Sequence, residues 1–224
     1  MKRIFFVFAS VFIVVSANAA SVTWNSTAAS GMGLVDSSGA ALAIGNWLRI
    51  GTFLLTDSAV IALASPTLAN LTTLNSAFIE FDNTTVGNNT ATAGVFAKPS
   101  VVTMPLGIAN QQIYIWALKG TPGNLSSVTQ QAIFYEPNAS NSSWKFPATD
   151  AAPLQTIDIN QARAGGAGGV VLAGSYLASS SAISPILGAG AGAFQLQSVP
   201  EPSTFTLFAL AAVTAAGMRR RKNK

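Results

Sequence analysis

The 224-residue chain predicts a mainly β fold, an antiparallel β-sandwich-like domain with one short helix. Three observations lead there. From Ser21 to Ser198, short runs of Val, Ile, Leu, Trp, Phe, Tyr and Thr alternate with Gly, Asn, Ser and Pro, the texture of strands joined by turns. A single internal stretch spaces apolar residues as a helix does, at Leu68, Leu71, Leu74 and Phe78. Both ends break from this texture, each pairing an apolar run with basic residues on its outer side.

Residues 1–19 read as a secretory signal peptide. Lys2 and Arg3 supply the positive start, Ile4–Val15 is apolar apart from Ser10, and Ala17-Asn18-Ala19 is a small-x-small cleavage site. The run is shorter than the roughly 20 residues a membrane-spanning helix needs. Cleavage between Ala19 and Ala20 fits best. A cut after Ala20 would put Asn18 where a small residue belongs.

The body, residues 20–198, begins with a strand over Ser21–Ser26, where Val22 and Trp24 alternate with Thr23 and Asn25. Ser37-Ser38-Gly39 is a turn, and Trp47–Leu55 is the next strand. Ser65 with Pro66 marks a helix start, Ser65 as the cap and Pro66 at the first helical position. Phe78–Phe81 and Gly94–Ala97 are short strands around a polar loop. Gln111–Leu118 and Thr129–Tyr135 form a hairpin across Gly120-Thr121-Pro122-Gly123-Asn124. Ser143–Phe146, Leu154–Ile159, Val170–Leu177 and the stretch around Phe194 and Leu196 complete the strands. Residues 164–198 are rich in Gly and Ala and also fit a partly disordered segment. The same strands also fit a barrel.

Charge and composition narrow the function. Lys2 and Arg3 give +2, and the tail's five basic residues against Glu201 give +4. Five basic residues against seven acids leave the middle at −2, so the net +4 belongs to the two ends. Scattered, nearly neutral charge argues against nucleic acid as a partner. The chain has no cysteine and no histidine. That removes disulfides, thiolate chemistry, the commonest zinc ligands and any Ser-His-Asp arrangement. No cofactor is expected, and none of the remaining residues makes an enzyme of the body.

Four motifs bear on chemistry. Gly165–Gly169 lacks the lysine and flanking elements of a phosphate cradle and reads as a loop. Glu80 and Asp82, either side of Phe81, would share a strand face, as a glycan hydrolase or a calcium site would need. Two acids alone read better as a solvated strand edge. Tyr114 and Trp116 also share a face, so exposed rings there could stack on sugars, against the plainer reading that they pack in the core. Asn-x-Ser/Thr triplets begin at Asn25, Asn70, Asn83, Asn88, Asn124, Asn138 and Asn141, as a chain rich in these residues produces by chance.

The last twenty-six residues, 199–224, have three parts in order. Val199-Pro200-Glu201-Pro202-Ser203-Thr204 leads into an uncharged apolar stretch, Phe205–Met218, and then Arg219-Arg220-Arg221-Lys222. Each proline fixes φ and disfavours helix in the residue before it, which presents Glu201 in extended chain. A helix over Thr204–Met218 would span about 22 Å against about 30 Å of hydrocarbon, a weak transmembrane helix completed by long basic side chains reaching the interface. The basic tip orients it with its end in the cytoplasm and the body outside.

This order resembles the PEP-CTERM sorting domain of exported bacterial proteins. The resemblance implies that Pro200, Glu201 and Pro202 are recognised by an exosortase, a membrane-embedded transpeptidase-like enzyme. It further implies that Phe205–Met218 retains the substrate in the membrane, that the basic tip orients it, and that the setting is exopolysaccharide and biofilm production. The body is similar to uncharacterised bodies carrying such tails in Gln111-Gln112-Ile113-Tyr114-Ile115-Trp116 and in Trp144-Lys145-Phe146-Pro147. The expectation is therefore a non-enzymatic envelope or matrix protein, whose partners are the export machinery, an exosortase, the membrane and possible exopolysaccharide. The alternative is a carbohydrate-binding module using Tyr114 and Trp116.

Overall fold

The computed structural model describes residues 20–26, 31–64, 67–137, 144–149, 155–162 and 169–199. The signal peptide, the segment 200–224, Ser65-Pro66, the triplets at Asn138 and Asn141, and most of the first glycine cluster lie outside these residues.

The described chain is mainly β. A large sheet holds β3 (Trp47–Phe53), β4 (Phe78–Thr85), β6 (Tyr114–Lys119), β7 (Gln130–Tyr135) and β12 (Gln197–Ser198) in the order β12-β7-β6-β3-β4. β9 (Val170–Ala173) also pairs with β7. All its pairings are antiparallel. A second sheet places β1 (Ala20–Asn25) between β5 (Ala97–Val102) and β8 (Gln155–Asp158). A third places β11 (Gly192–Gln195) between β10 (Ser175–Leu177) and β2 (Met32–Val35). Two pairings are parallel, β1 with β8 and β11 with β2, within a fold whose other pairings are antiparallel, as the mostly antiparallel expectation allows.

Helices make the larger correction. Besides the expected helix, α2 (Leu68–Ala77), the chain forms α1 (Asp57–Ala64) just before it and a short α3 (Ser184–Leu187). The cap of α2 is Thr67, whose hydroxyl accepts the Asn70 N–H at 3.1 Å, so the start lies two residues after Ser65.

Helices α1 and α2 lie against one face of the large sheet. Arg49 reaches Asn75 of α2, Tyr114 reaches Asp57 of α1, and the Gln131 amide donates to the Ala64 carbonyl at the end of α1. The opposite face meets the third sheet, where Phe134 of β7 stacks on Phe194 of β11 with ring centroids 3.8 Å apart. β3 is therefore buried along its whole length. The third sheet is covered on both faces as well. Met32, Leu34 and Phe194 join the main core, while Val35 and Ala193 join a small cluster with Ile183 and Ala191.

From Gly169 onward the glycine-rich third is woven into these sheets rather than left loose. Gly174 shows why glycine is needed there. Its φ is +86°, and a Cβ would stand 2.3 Å from the Gln195 carbonyl oxygen. Among the described residues no helix is long and apolar enough to cross a membrane.

Candidate functional site

The aromatic strand is interior. Trp116 is fully buried and Tyr114 is 7% exposed. Both project toward the helices, because α1 covers the face that the sequence left open. Trp116 donates its indole N–H to Gln131 at 3.0 Å, and Tyr114 and Tyr135 both donate their hydroxyls to the Asp57 carboxylate. Burial first, then Asp57, pushes both phenols well above their ordinary range. Tyr135, Trp144 and Phe146 are buried too. The rings named as a possible glycan platform are thus core residues, and stacking on a sugar face has no open ring here.

The two acids are engaged separately. β4 carries a bulge at Phe81, so that Glu80 faces Gly51 while Asp82 faces Ile50. Glu80 pairs with Arg49 and accepts from Asn83 at 2.8 Å. Asp82 pairs with Lys98 at 2.7 Å. Each carboxylate has its own cation. Among the described residues no group of three or more acids could hold a metal ion. A shallow cleft of about 370 Å³ lined by Ile44, Gly45, Asn46, Gly120, Thr121, Pro122 and Ser127 contains no charged group.

The site with the most structure around it is the exit of the chain toward Pro200. Leu196 is buried and donates its N–H to the Val35 carbonyl at 2.9 Å. Gln197 and Ser198 form β12, a two-residue edge strand laddered with Gln131 and Gln130. The Gln197 side chain is held at both ends of its amide. Its Nε2 donates to the Ala64 carbonyl at 2.6 Å, and its Oε1 accepts the Gly174 N–H at 3.1 Å. The Ser198 hydroxyl lies 3.3 Å from that of Ser37. Val199 is 6% exposed and donates its N–H to the Thr129 carbonyl at 2.6 Å. Pro200 follows directly.

A loop buttresses this exit. Ser37 donates its backbone N–H to Gln130, and its carbonyl accepts from Gln195. Asp36 folds that loop by accepting from the Ser38 hydroxyl and from the Ser38 and Ala40 amides, and it pairs with Lys119 at 2.9 Å. The Ser38 hydroxyl foremost, then Lys119, lowers the Asp36 carboxyl to about 2. At the other end, Ala20 is fully buried as the first residue of β1, facing Val102. Sequence reasoning had no signal for these contacts, since Gln195, Gln197 and Ser198 read as ordinary polar strand residues.

Residues 198–222 match the family model described as the PEP-CTERM protein-sorting motif. No curated protein and no solved structure matches the chain. The chain thus carries a PEP-CTERM sorting motif, which implies exosortase-dependent sorting, on a body without an assigned relative. Two of the matched residues, Ser198 and Val199, belong to the fold just described.

Proposed function

We propose that this protein is a non-enzymatic component of the bacterial envelope or extracellular matrix. Residues 1–19 direct its export and are removed before Ala20. Phe205–Met218 holds the body outside the cytoplasmic membrane until an exosortase acts at Pro200-Glu201-Pro202. The match over residues 198–222 carries the reading. Supporting it, Ala20, the residue after the expected cleavage point, is buried as the first residue of β1. The absence of histidine and cysteine from the sequence supports a body without chemistry of its own, as does the pairing of Glu80 and Asp82 with separate cations. An exopolysaccharide matrix is the setting that such tails suggest.

Replacing Pro200, Glu201 and Pro202 by alanine in the native host tests the assignment. The expected variant keeps its tail by intact mass and stays in the membrane fraction. A product of unchanged mass in an unchanged location would overturn it.

A further inference from the structure

We infer that β1 exchanges between copies of this chain, so that two chains pair by each lodging its Ala20–Asn25 strand between β5 and β8 of the other. The exchange involves the body alone, whatever becomes of the tail.

β1 is held by strands distant in sequence. Its ladder partners are Ala97–Val102 on one side and Gln155–Asp158 on the other, and β1 stands between them as the centre of their sheet. Ala20, Val22 and Trp24 point inward and are fully buried. Trp24 donates its indole N–H to Ser100, 76 positions away, at 3.0 Å and meets Phe96 edge-on with ring centroids 5.2 Å apart. Slipping the strand by one residue would turn all three side chains outward, so the slot accepts β1 in one register. Every copy carries both the strand and the slot. A strand from a second chain makes the same contacts as the chain's own, which is why such exchange is a low-cost route to a dimer.

The connection behind β1 is short. Ser26 donates its N–H to the Phe96 carbonyl at 3.0 Å and accepts the Phe96 N–H through its hydroxyl at 2.8 Å, so it belongs with the slot. Gly31 accepts the Gly192 N–H at 3.2 Å, so it belongs with the third sheet. Residues 27–30 join the two, and five residue steps reach roughly 17 Å at most. Exchange therefore brings the two bodies into contact at this end, and short connections of this kind invite swapping. Order of synthesis favours it too. β1 is made first, and β8 completes its ladders only from Gln155 onward. Until then β1 has no complete slot in its own chain, while neighbouring copies present theirs. Reciprocal exchange leaves no free strand and no empty slot, so the assembly closes at two copies.

Cross-linking between differently tagged copies tests this. The chain has no cysteine, and Ser21 faces Val101 in register. Opposed antiparallel residues lie about 4.5–5.5 Å apart at Cα, which a disulfide can bridge. Two full-length copies are co-expressed in the native host, each with its own epitope tag inserted at the exposed Gly123 turn, where loss of either end keeps it. Without any cysteine, the two tagged copies should co-purify from the solubilised extract. With Ser21→Cys in one copy and Val101→Cys in the other, mild oxidation should give a two-copy band carrying both tags. That band should exceed the one from Ser21→Cys with Leu106→Cys by about tenfold, because Leu106 is 96% exposed but stands outside β5, where only chance collision brings the thiols together. If the cysteine-free copies do not co-purify, β1 stays in its own chain and the exchange is wrong. If they co-purify but the Val101 pair links no better than the Leu106 pair, the copies meet by another surface and the exchange is equally wrong.

Discussion

Arg49 offers the sharpest test of how the body is held together. The residue is 5% exposed, and its guanidinium lies over three rings, 4.7 Å from the centroid of Trp47, 4.8 Å from Phe78 and 4.9 Å from Trp116. Burial pulls its pKa down, and Glu80 opposes that shift. Asn75 accepts from it at 2.7 Å. Removing the carboxylate by Glu80→Ala strands a cation among rings with one neutral acceptor. Breaking a fully buried pair costs about 3–5 kcal/mol. The Glu80 side chain retains 29% of its exposure, so solvent screens part of this, and about 2–3 kcal/mol is expected. Arg49→Met removes the charge and keeps an unbranched apolar chain against the rings. The double variant should then cost less than the two singles summed, by about 1–2 kcal/mol. Urea unfolding of the purified chain, followed by tryptophan fluorescence, measures all four proteins. A Glu80→Ala loss below about 0.5 kcal/mol, or additivity within about 0.3 kcal/mol, would refute the coupling.

Other perturbations follow from single residues. Gly51→Ala would set a Cβ 2.2 Å from the Ile79 carbonyl oxygen and 2.6 Å from Phe78, across the bulge, and should cost about 3 kcal/mol in the same unfolding assay. Trp116→Ala empties a fully buried site and should lose about 4 kcal/mol, whereas an exposed binding ring would cost almost nothing. The carboxyl of Asp36 is lowered from 3.8 to about 2 on folding, so its contribution is complete above pH 4 and fades as pH falls toward 2. Discounted for solvent around a surface loop, it is worth about 1 kcal/mol. Asp36→Asn should remove that part of the acid transition, as pH-dependent unfolding of the two proteins would show.

Legibility in the sequence tracked how local each cause was. The strands β3, β6 and β7 were readable within a few residues because β-branched and aromatic runs bounded by turn residues decide them locally. β5 was misplaced. The sequence pointed to Gly94–Ala97, whereas the strand runs Ala97–Val102 with Pro99 inside it. Proline lacks an N–H, which argues against a central strand, but β5 is an edge of its sheet and tolerates the loss. α1 was missed because Asp57–Ala64 buries only Val60 and Ala64 and has no broad apolar stripe to advertise it. That omission explains the aromatic reading. Without α1 over Tyr114, Trp116 and Tyr135, their face looks free; with it, Asp57 and Ala64 close it. β2 is four residues with a glycine, and its parallel pairing with β11 joins residues far apart in sequence, where no periodicity can point. The motif at Pro200 was legible because prolines and charge order are written in sequence. Its tether was not, because the partners of Gln197 are backbone groups at Ala64 and Gly174.

The two ends of the fold differ in a way that bears on how each would be handled. β1 is the central strand of its sheet, laddered on both sides by β5 and β8, and it starts at the buried Ala20. Its partners extend to Asp158, so this sheet is complete only after most of the body has been made. A peptidase that needs extended chain around Ala19 and Ala20 would therefore have its window before β1 is laddered, since a late cut would require breaking the pairing of Ala20 and Ser21 with Val102 and Val101 of β5. β12 is the opposite case: a two-residue edge with one ladder, released without disturbing the strands behind it. On the processing proposed above, the N-terminal cut would precede the laddering of β1, whereas the C-terminal one could follow folding. A chain whose N-terminal cut is delayed should accumulate without a completed β1 sheet, and protease sensitivity confined to residues 20–26 and their partners would reveal it.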